Sequence, residues 1–347
     1  MTKFINFAVD LGNGFVKAKS EHRTVVAPSV IAKEQDVSKS SIASYQDEET
    51  TYRTFDSHLR KGVNYIWGEG IKNAVKSPDK LLPTYTFQDR YKSDLYKLLV
   101  EFVLGELALD YDDTVNVRVV TGMPSDELEQ QDKEDLEQAF EGSHVVKVNG
   151  QEKVIKVEKI TILEQPMGSL FYVMINEKLE MSKDFTKRVV FYDFGAGTTI
   201  MDVFENGKRD DDESITQPLG MNDVYKEVRK MVQRKFSLKK LTTHQIEDAF
   251  RKDFNIKVGS KMFNCEEEAK IAVSDFLERV MSTFQGVLNS RDYIDKIYIT
   301  GGGTNIVKDE VKKYFSETEE VHFVENSQTA SVEGFYKFAE VMNTWED

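Results

Sequence analysis

The sequence is short of cysteine, proline and positive charge. Its single cysteine, Cys265, excludes an internal disulfide framework and any zinc site built from several thiolates. Six prolines in 347 residues exclude a collagenous or proline-rich chain, while 22 phenylalanines and 14 tyrosines supply material for packed cores. No run approaches the roughly 18 consecutive apolar residues of a membrane-spanning helix. The chain opens on a strand-like run, Phe4 to Val9, without the apolar segment of a secretory leader, so a cytoplasmic protein is expected. With 46 basic against 60 acidic residues the net charge is −14, which disfavours an extended direct grip on nucleic-acid phosphates or anionic lipid, since both need a basic surface. The length suits about two domains.

What the chain does have is an internal repeat. Asn6-Phe-Ala-Val-Asp10-Leu-Gly12-Asn-Gly14-Phe-Val-Lys17 is echoed by Val190-Phe-Tyr-Asp193-Phe-Gly195-Ala-Gly197-Thr-Thr-Ile200. Each is an apolar strand, then Asp-x-Gly-x-Gly, then a second strand-like run. After the first copy, a helix with Leu95, Leu98, Leu99 and Phe102 at near-3.6 spacing precedes a β-rich run, Val115 to Val120, ending in Thr121-Gly-Met-Pro124. After the second, a helix with Ala269, Val273, Phe276, Leu277, Val280, Phe284 and Leu288 on one face precedes Ile297-Tyr-Ile-Thr300-Gly301-Gly302-Gly303. Each copy continues with a helix (Asp126 to Phe140; Ile306 to Phe315), a short strand (Ile160 to Leu163; Val321 to Val324) and a closing helix (Pro166 to Lys178; Thr329 to Met342).

This order predicts one α/β unit used twice, with the cleft between copies as the natural ligand site. Residues 31 to about 83 interrupt the first copy, with strand-like stretches at Tyr52–Phe55 and Val63–Trp67. Residues 221 to about 262 interrupt the second and read as helical, with Val224, Val228 and Val232 spaced by four. Asn149-Gly150 predicts a two-residue hairpin between Val145–Val148 and Val154–Val157.

A strand-turn-strand carrying Asp-x-Gly-x-Gly binds phosphate by a definite means. Glycines at 12 and 14 bring backbone N–H groups against phosphate oxygens, Asp10 at the strand end can hold a hydrated Mg²⁺, and Lys17 on the returning strand can reach the β- and γ-phosphates. A strand follows the glycines, so this is neither a Walker loop nor a Rossmann fingerprint. Either turn alone is more often an ordinary tight turn. Two copies facing one cleft would put Asp10 and Asp193 beside one metal ion, with Gly12-Asn13-Gly14 and Gly195-Ala196-Gly197-Thr198 gripping the phosphate tail from opposite sides.

Gly301-Gly302-Gly303 gives a third loop that admits a flat or anionic group near the backbone, and Thr304 or Asn305 would cap the helix that follows. The plainer reading is a strand-to-helix turn. Glu164-Gln165-Pro166-Met167-Gly168 stands where a strand ends and a helix begins, with Pro166 suited to the first turn. Either Glu164 or Gln165 there can orient a water for in-line attack on a γ-phosphate, and either can instead serve as a helix cap.

Together these residues resemble the actin / Hsp70 / sugar kinase superfamily of ATPases. Asp10-Leu-Gly-Asn-Gly14 to Lys17 looks like its first phosphate motif, Asp193 to Thr199 its second, and Ile299-Thr-Gly-Gly-Gly-Thr304 its adenosine motif. Glu164-Gln165-Pro166-Met167 and Ser327-Gln-Thr-Ala-Ser-Val-Glu-Gly334 look like its two connecting helices. The resemblance implies an α/β actin-like fold, duplicated RNase H-like domains with a nucleotide cleft between them and a subdomain inserted in each. It divides the chain into domain I, 1–183 plus 325–347, and domain II, 184–324.

Within the superfamily the chain most resembles bacterial actin-like proteins of the ParM type, which segregate low-copy plasmids. That implies ATP, or GTP in its place, with Mg²⁺ at Asp10 and Asp193. It also implies polar filaments of self-associated subunits, and capture by a DNA-binding adaptor of the ParR type on a centromere-like plasmid site. Gln165 stands in the place of actin's water-positioning glutamine, whereas ParM and MreB relatives use a glutamate, and Glu164 is adjacent. The second motif has Ala196 where many relatives have a third glycine.

Two other readings stay open. A sugar or acid kinase on this fold needs a general base beside the γ-phosphate, and Asp193 suits that part. A cell-shape filament of the MreB type usually carries a basic amphipathic terminal helix; here the last helix sets Phe335, Phe338, Ala339 and Met342 at core spacing with Glu333, Glu340, Glu346 and Asp347 outward. An Hsp70-type chaperone fits less well, since the chain ends directly after that helix. Residues 126–141 hold eight acids and one lysine, and 226–240 seven bases and one acid. These are either solvated helix faces or opposite surfaces that steer head-to-tail assembly.

Overall fold

The computed structural model describes residues 4–38, 51–84, 89–127, 130–288 and 290–346. The chain divides into two compact units, Met1–Met181 with Ser331–Asp347, and Ser182–Ala330. Positions 39–50 of the first insert, 128 and 129 of the helix expected over Asp126–Phe140, and Asp347 of the closing helix lie outside the described residues, as does the side chain of Glu346.

The first unit runs β1 (Ile5–Leu11), β2 (Phe15–Lys19), β3 (Thr24–Pro28), β4 (Val30–Lys33), β5 (Arg53–Ser57), β6 (Asn64–Trp67), α1 (Ile71–Ala74), β7 (Leu82–Pro83), α2 (Asp94–Ala108), β8 (Thr114–Met123), α3 (Gln130–Phe140), β9 (Gly142–Val148), β10 (Gln151–Glu164) and α4 (Pro166–Met174). The second runs β11 (Arg188–Phe194), β12 (Thr199–Glu205), β13 (Lys208–Gln217), α5 (Met221–Lys235), α6 (Thr243–Phe250), β14 (Asn255–Val258), β15 (Lys261–Asn264), α7 (Glu266–Val287), β16 (Lys296–Thr300), α8 (Thr304–Val311) and β17 (Val321–Phe323). The chain ends in α9 (Ala330–Glu346), which returns to the first unit.

The second unit's sheet has the order β13-β12-β11-β16-β17, an antiparallel meander followed by two parallel neighbours. The first unit contains the same pattern as β3-β2-β1-β8-β10, extended by β9-β5-β6-β4-β7 to ten strands. Only Ser29 separates β3 from β4, yet β3 is the first strand of that order and β4 the last but one, so the sheet curls back on itself.

Strand β1 is buried on both faces, as strands flanked by helices are. Phe7 and Val9 join the core formed with α2 and α3, and Ala8 packs on the other face with Val332, Phe335 and Ala339 of α9. Helix α9 crosses α4 at two glycines. A Cβ on Gly334 would lie 1.8 Å from the Gly168 carbonyl oxygen, and one on Gly168 would lie 2.5 Å from that of Ser331. Phe171 and Phe338 stack beside the crossing, with centroids 4.8 Å apart. The second unit's core joins Val190, Tyr192 and Phe194 of β11 to α5, α7 and α8.

Several expectations were too short or too simple. The strand expected over Ile160–Leu163 and the second strand of the Asn149-Gly150 hairpin are one strand, β10, kinked by a bulge between Val157 and Lys159. The hairpin itself is present, with Asn149 and Gly150 both at positive φ (49° and 85°), as a type I′ turn requires. The helix expected to Lys178 ends at Met174. Strand β13 went unrecognised because its sequence, Lys-Arg-Asp-Asp-Asp-Glu-Ser-Ile-Thr-Gln, is that of an exposed edge strand with almost no apolar alternation. The second insert is helical in α5 and α6 but also holds the four-residue strands β14 and β15.

Candidate functional site

The first turn is shaped by strand register. Asp10 on β1 stands directly opposite Lys17 on β2, and their side chains form an ion pair at 2.9 Å. Asp10 lies two residues after Ala8 and so faces α9, where the Ser331 hydroxyl donates to the same carboxylate oxygen at 2.7 Å. Gln165, at the head of α4, donates from Nε2 to the other oxygen at 3.4 Å. The carboxylate is 2% exposed and accepts from all three.

Gly12 is required by closeness and not by a left-handed backbone: a Cβ there would lie 2.9 Å from the Phe15 carbonyl oxygen. The Gly14 carbonyl accepts from the Ser29 amide at 3.1 Å, fixing the far side of the turn. Asn13 is exposed at the tip, where its Oδ1 accepts from Nη1 of Arg90 at 3.2 Å. Glu164 accepts from the Ser125 hydroxyl at 3.2 Å, and the Gln165 amide donates to the Met123 carbonyl at 2.8 Å, so this pair is anchored to the end of β8.

The second turn repeats the closure. A Cβ on Gly195 would lie 2.9 Å from the Thr198 carbonyl oxygen, the oxygen that also accepts the Gly195 amide. Helix α5 supports the turn from below: the Met221 and Asn222 amides donate to the Gly195 and Ala196 carbonyls at 3.0 and 2.8 Å. Gly220 makes this approach possible, since a Cβ there would lie 2.7 Å from Ala196 and Gly197 backbone atoms. Asp193 pairs across β11 and β12 with Ile200, and across β11 and β16 with Thr300.

The third loop packs against the second turn. Gly301 takes φ +92°, and a Cβ there would stand 2.3 Å from Oδ1 of Asp193 and 2.6 Å from the Phe194 carbonyl oxygen. Gly303 lies against Met221 and donates its amide to the Phe194 carbonyl at 2.9 Å. Gly302 is open, its nearest neighbour being Cγ of Gln328 at 3.9 Å. Thr304 does not cap α8 by its side chain; Gly303 occupies the cap position, and the buried Thr304 hydroxyl donates back to the Gly301 carbonyl at 2.8 Å.

Within the first unit, Asp10, Gly12, Asn13, Gly14, Lys17 and the Glu164–Gln165 pair therefore form one connected neighbourhood. Within the second, Asp193, Gly195, Ala196, Gly197, Thr198 and Gly301 to Thr304 form another. Sequence reasoning missed Ser331, Met221, Asn222 and Arg90. Ser331 lay inside the quoted Ser327–Gly334 motif, and Gly220 before a helix was a signal for the next two; Arg90 offered none.

Mg²⁺ keeps much of its water and is held by one or two carboxylates together with substrate phosphates. Single carboxylates beside cramped glycine turns suit that chemistry. Among the described residues no group of three or more His, Cys, Asp or Glu is placed to hold a metal by protein ligands alone.

Strand order, turns and loops of this kind define a class, and comparison with known proteins agrees. The family model for actin like proteins, N terminal domain, matches residues 8–168, and that for the archaeal actin homologue MreB-like, C-terminal, matches residues 190–313. This chain belongs to the actin-like superfamily, close to ParM. A crystal structure of apo pSK41 ParM is similar at 28% identity and TM-score 0.78, with 99% of each chain covered. The archaeal actin homolog Ta0583 in complex with ADP is similar at 16% identity and TM-score 0.77, over 97% of this chain and 99% of that one. A 15-stranded ParM filament from Clostridium botulinum is similar at 21% identity and TM-score 0.77, over 98% and 99%. No curated protein sequence matches the chain.

Proposed function

We propose that this chain is an ATPase whose nucleotide state drives assembly of its own copies into filaments, and that these filaments move plasmid DNA through a DNA-bound adaptor of the ParR type. The observation that carries the reading is the repeated turn, with Gly12 and Gly195 closed in the same way beside Asp10 and Asp193. The likeness to apo pSK41 ParM supports the particular task.

In this reading Mg-ATP, or Mg-GTP in its place, supplies the phosphoanhydride whose cleavage limits filament lifetime. The backbones of Gly12-Asn13-Gly14 and Gly195-Ala196-Gly197-Thr198 donate to phosphate oxygens, and Lys17 adds a point charge. Asp10 and Asp193 hold the metal, and Gly301, Gly302, Gly303 and Thr304 line the nucleoside. Gln165 orients the attacking water, a role supported by its side chain reaching Asp10 while Glu164 turns to Ser125.

Light scattering and electron microscopy with ATP, ADP and GTP test assembly. Filaments with a nucleoside triphosphate but not with ADP are expected, and Gln165→Ala should slow phosphate release while leaving longer-lived filaments. A monomer that consumes ATP only when a sugar or acid is added would make it a kinase. A second reading, a cytoskeletal filament without plasmid cargo, draws on the match to the archaeal MreB-like model. Loss of a carrier plasmid at the same rate with and without an intact chain would favour it. Among the described residues no helix is long and apolar enough to cross a membrane, and a cytoplasmic filament is the setting this proposal requires.

A further inference from the structure

Arg90 begins a short 3₁₀ turn, Arg90–Lys92, entered through Asp89 in a left-handed conformation (φ 49°). Its side chain is 10% exposed. A buried guanidinium is costly unless its charge and its N–H groups are matched. Here Nη2 pairs with Glu127 at 2.9 Å and donates to the Tyr91 hydroxyl, which in turn donates to Glu127 at 2.7 Å. Burial pushes the Tyr91 hydroxyl above its ordinary range, so it remains a donor. Glu127 already matches the charge, and the neutral Tyr91 hydroxyl accepts one of the N–H groups. The contact from Nη1 to Asn13 goes further, to the exposed tip of the first glycine turn.

The other end of the same contact set leads to the water-orienting pair. Glu127 closes the short turn after β8, its amide donating to the Pro124 carbonyl at 3.0 Å. The neighbouring Ser125 and Met123 hold Glu164 and Gln165. One planar guanidinium thus joins the tip of the phosphate turn to the segment that anchors the candidate hydrolytic residues. A lysine, with a compact ammonium, lacks the fork needed to serve these acceptors together.

We propose that Arg90 is a positioning residue for hydrolysis: it sets Asn13 and the Glu164–Gln165 pair in one register, so that its loss lowers the turnover rate far more than nucleotide affinity. The inference rests on the ATPase reading above.

The test compares wild type, Arg90→Lys, Asn13→Ala and the double variant in phosphate-release assays over a range of ATP concentrations, with fluorescent ADP binding as a second readout. Each single variant should lose on the order of 10- to 100-fold in kcat, with KM and ADP affinity within about threefold of wild type. The double variant should be no slower than the worse single one, because both remove the same link. Asn13 is exposed, so Asn13→Ala keeps the test informative even if Arg90→Lys does not fold. Multiplying losses in the double variant, or a raised KM with unchanged kcat, would overturn the positioning role. Unchanged turnover in Asn13→Ala would also overturn it, while leaving the ATPase reading intact. A wild-type chain that neither binds nor hydrolyses nucleotide would overturn both.

Discussion

Asp10 and Asp193 end equivalent strands, β1 and β11, and each is followed by a glycine turn closed against a carbonyl three residues on. Their surroundings differ. Asp10 faces α9 and is almost fully buried, taking Lys17, Ser331 and Gln165 on its two oxygens. Asp193 is only partly buried and lies against Gly301, whose missing side chain leaves the carboxylate its place. The corresponding face of the second sheet carries rings, Phe191 stacked with Tyr298 at 4.9 Å and edge-on to Phe204 at 5.8 Å. One motif has thus been fitted to two tasks. The first copy buries its carboxylate in a junction of strand, connecting helix and closing helix; the second leaves its carboxylate partly exposed, in a space kept open by glycine.

The largest test of this contrast is removal of each carboxylate. Asp10→Ala and Asp193→Ala should both abolish Mg-ATP turnover, but they should differ in stability. Asp10→Ala strips a partner from the partly buried Lys17 ammonium and should lower unfolding free energy by about 3 kcal/mol, against about 1 kcal/mol or less for Asp193→Ala. Equal losses in urea titrations would break the comparison.

Next in size is that space itself. Gly301→Ala puts a Cβ against Asp193 at a φ that L side chains rarely adopt, and should cost about 2 kcal/mol as well as nucleotide affinity. Gly302→Ala finds open space and should leave the urea midpoint unchanged, so any loss of ATP affinity there reports the nucleotide alone.

A third substitution makes the first turn like the second. Lys17→Ile copies Ile200, the residue opposite Asp193, and should reduce turnover about 100-fold, at a cost in stability because the buried Asp10 carboxylate loses its counter-ion. Retained turnover would deny Lys17 its place at the phosphates.

The smallest expected effect concerns charge. The acidic α3 and basic α5 belong to different units, and several of their charges are already paired, Asp135 with Lys92 at 2.9 Å and Lys235 with Glu268. If the remainder steer head-to-tail contact, polymer yield should fall a few-fold between low and physiological salt as the Debye length shortens toward about 8 Å. A flat response in light scattering would leave these helices as solvated faces.

Much of this was legible in the sequence because it rests on local periodicity and on glycines at fixed spacing. The repeat located both turns, the third glycine loop and the Glu164–Gln165 corner, and the 3.6-residue pattern located α2 and α7. Strand β13 escaped because an exposed edge strand need not alternate apolar and polar residues. The merged β10 escaped because a bulge interrupts its pattern without ending its pairing.

By itself, then, the sequence determined the duplicated α/β plan, its turns and its acidic balance, because each is written in spacing or composition. Only the tertiary structure decided what surrounds each carboxylate. Whether Asp10 meets Ser331, or Asp193 meets Gly301, depends on contacts between segments far apart in the chain, and no local pattern encodes those. The same holds for Arg90, a residue unremarkable in sequence, which acquires Asn13 and Glu127 as partners only when the chain has folded.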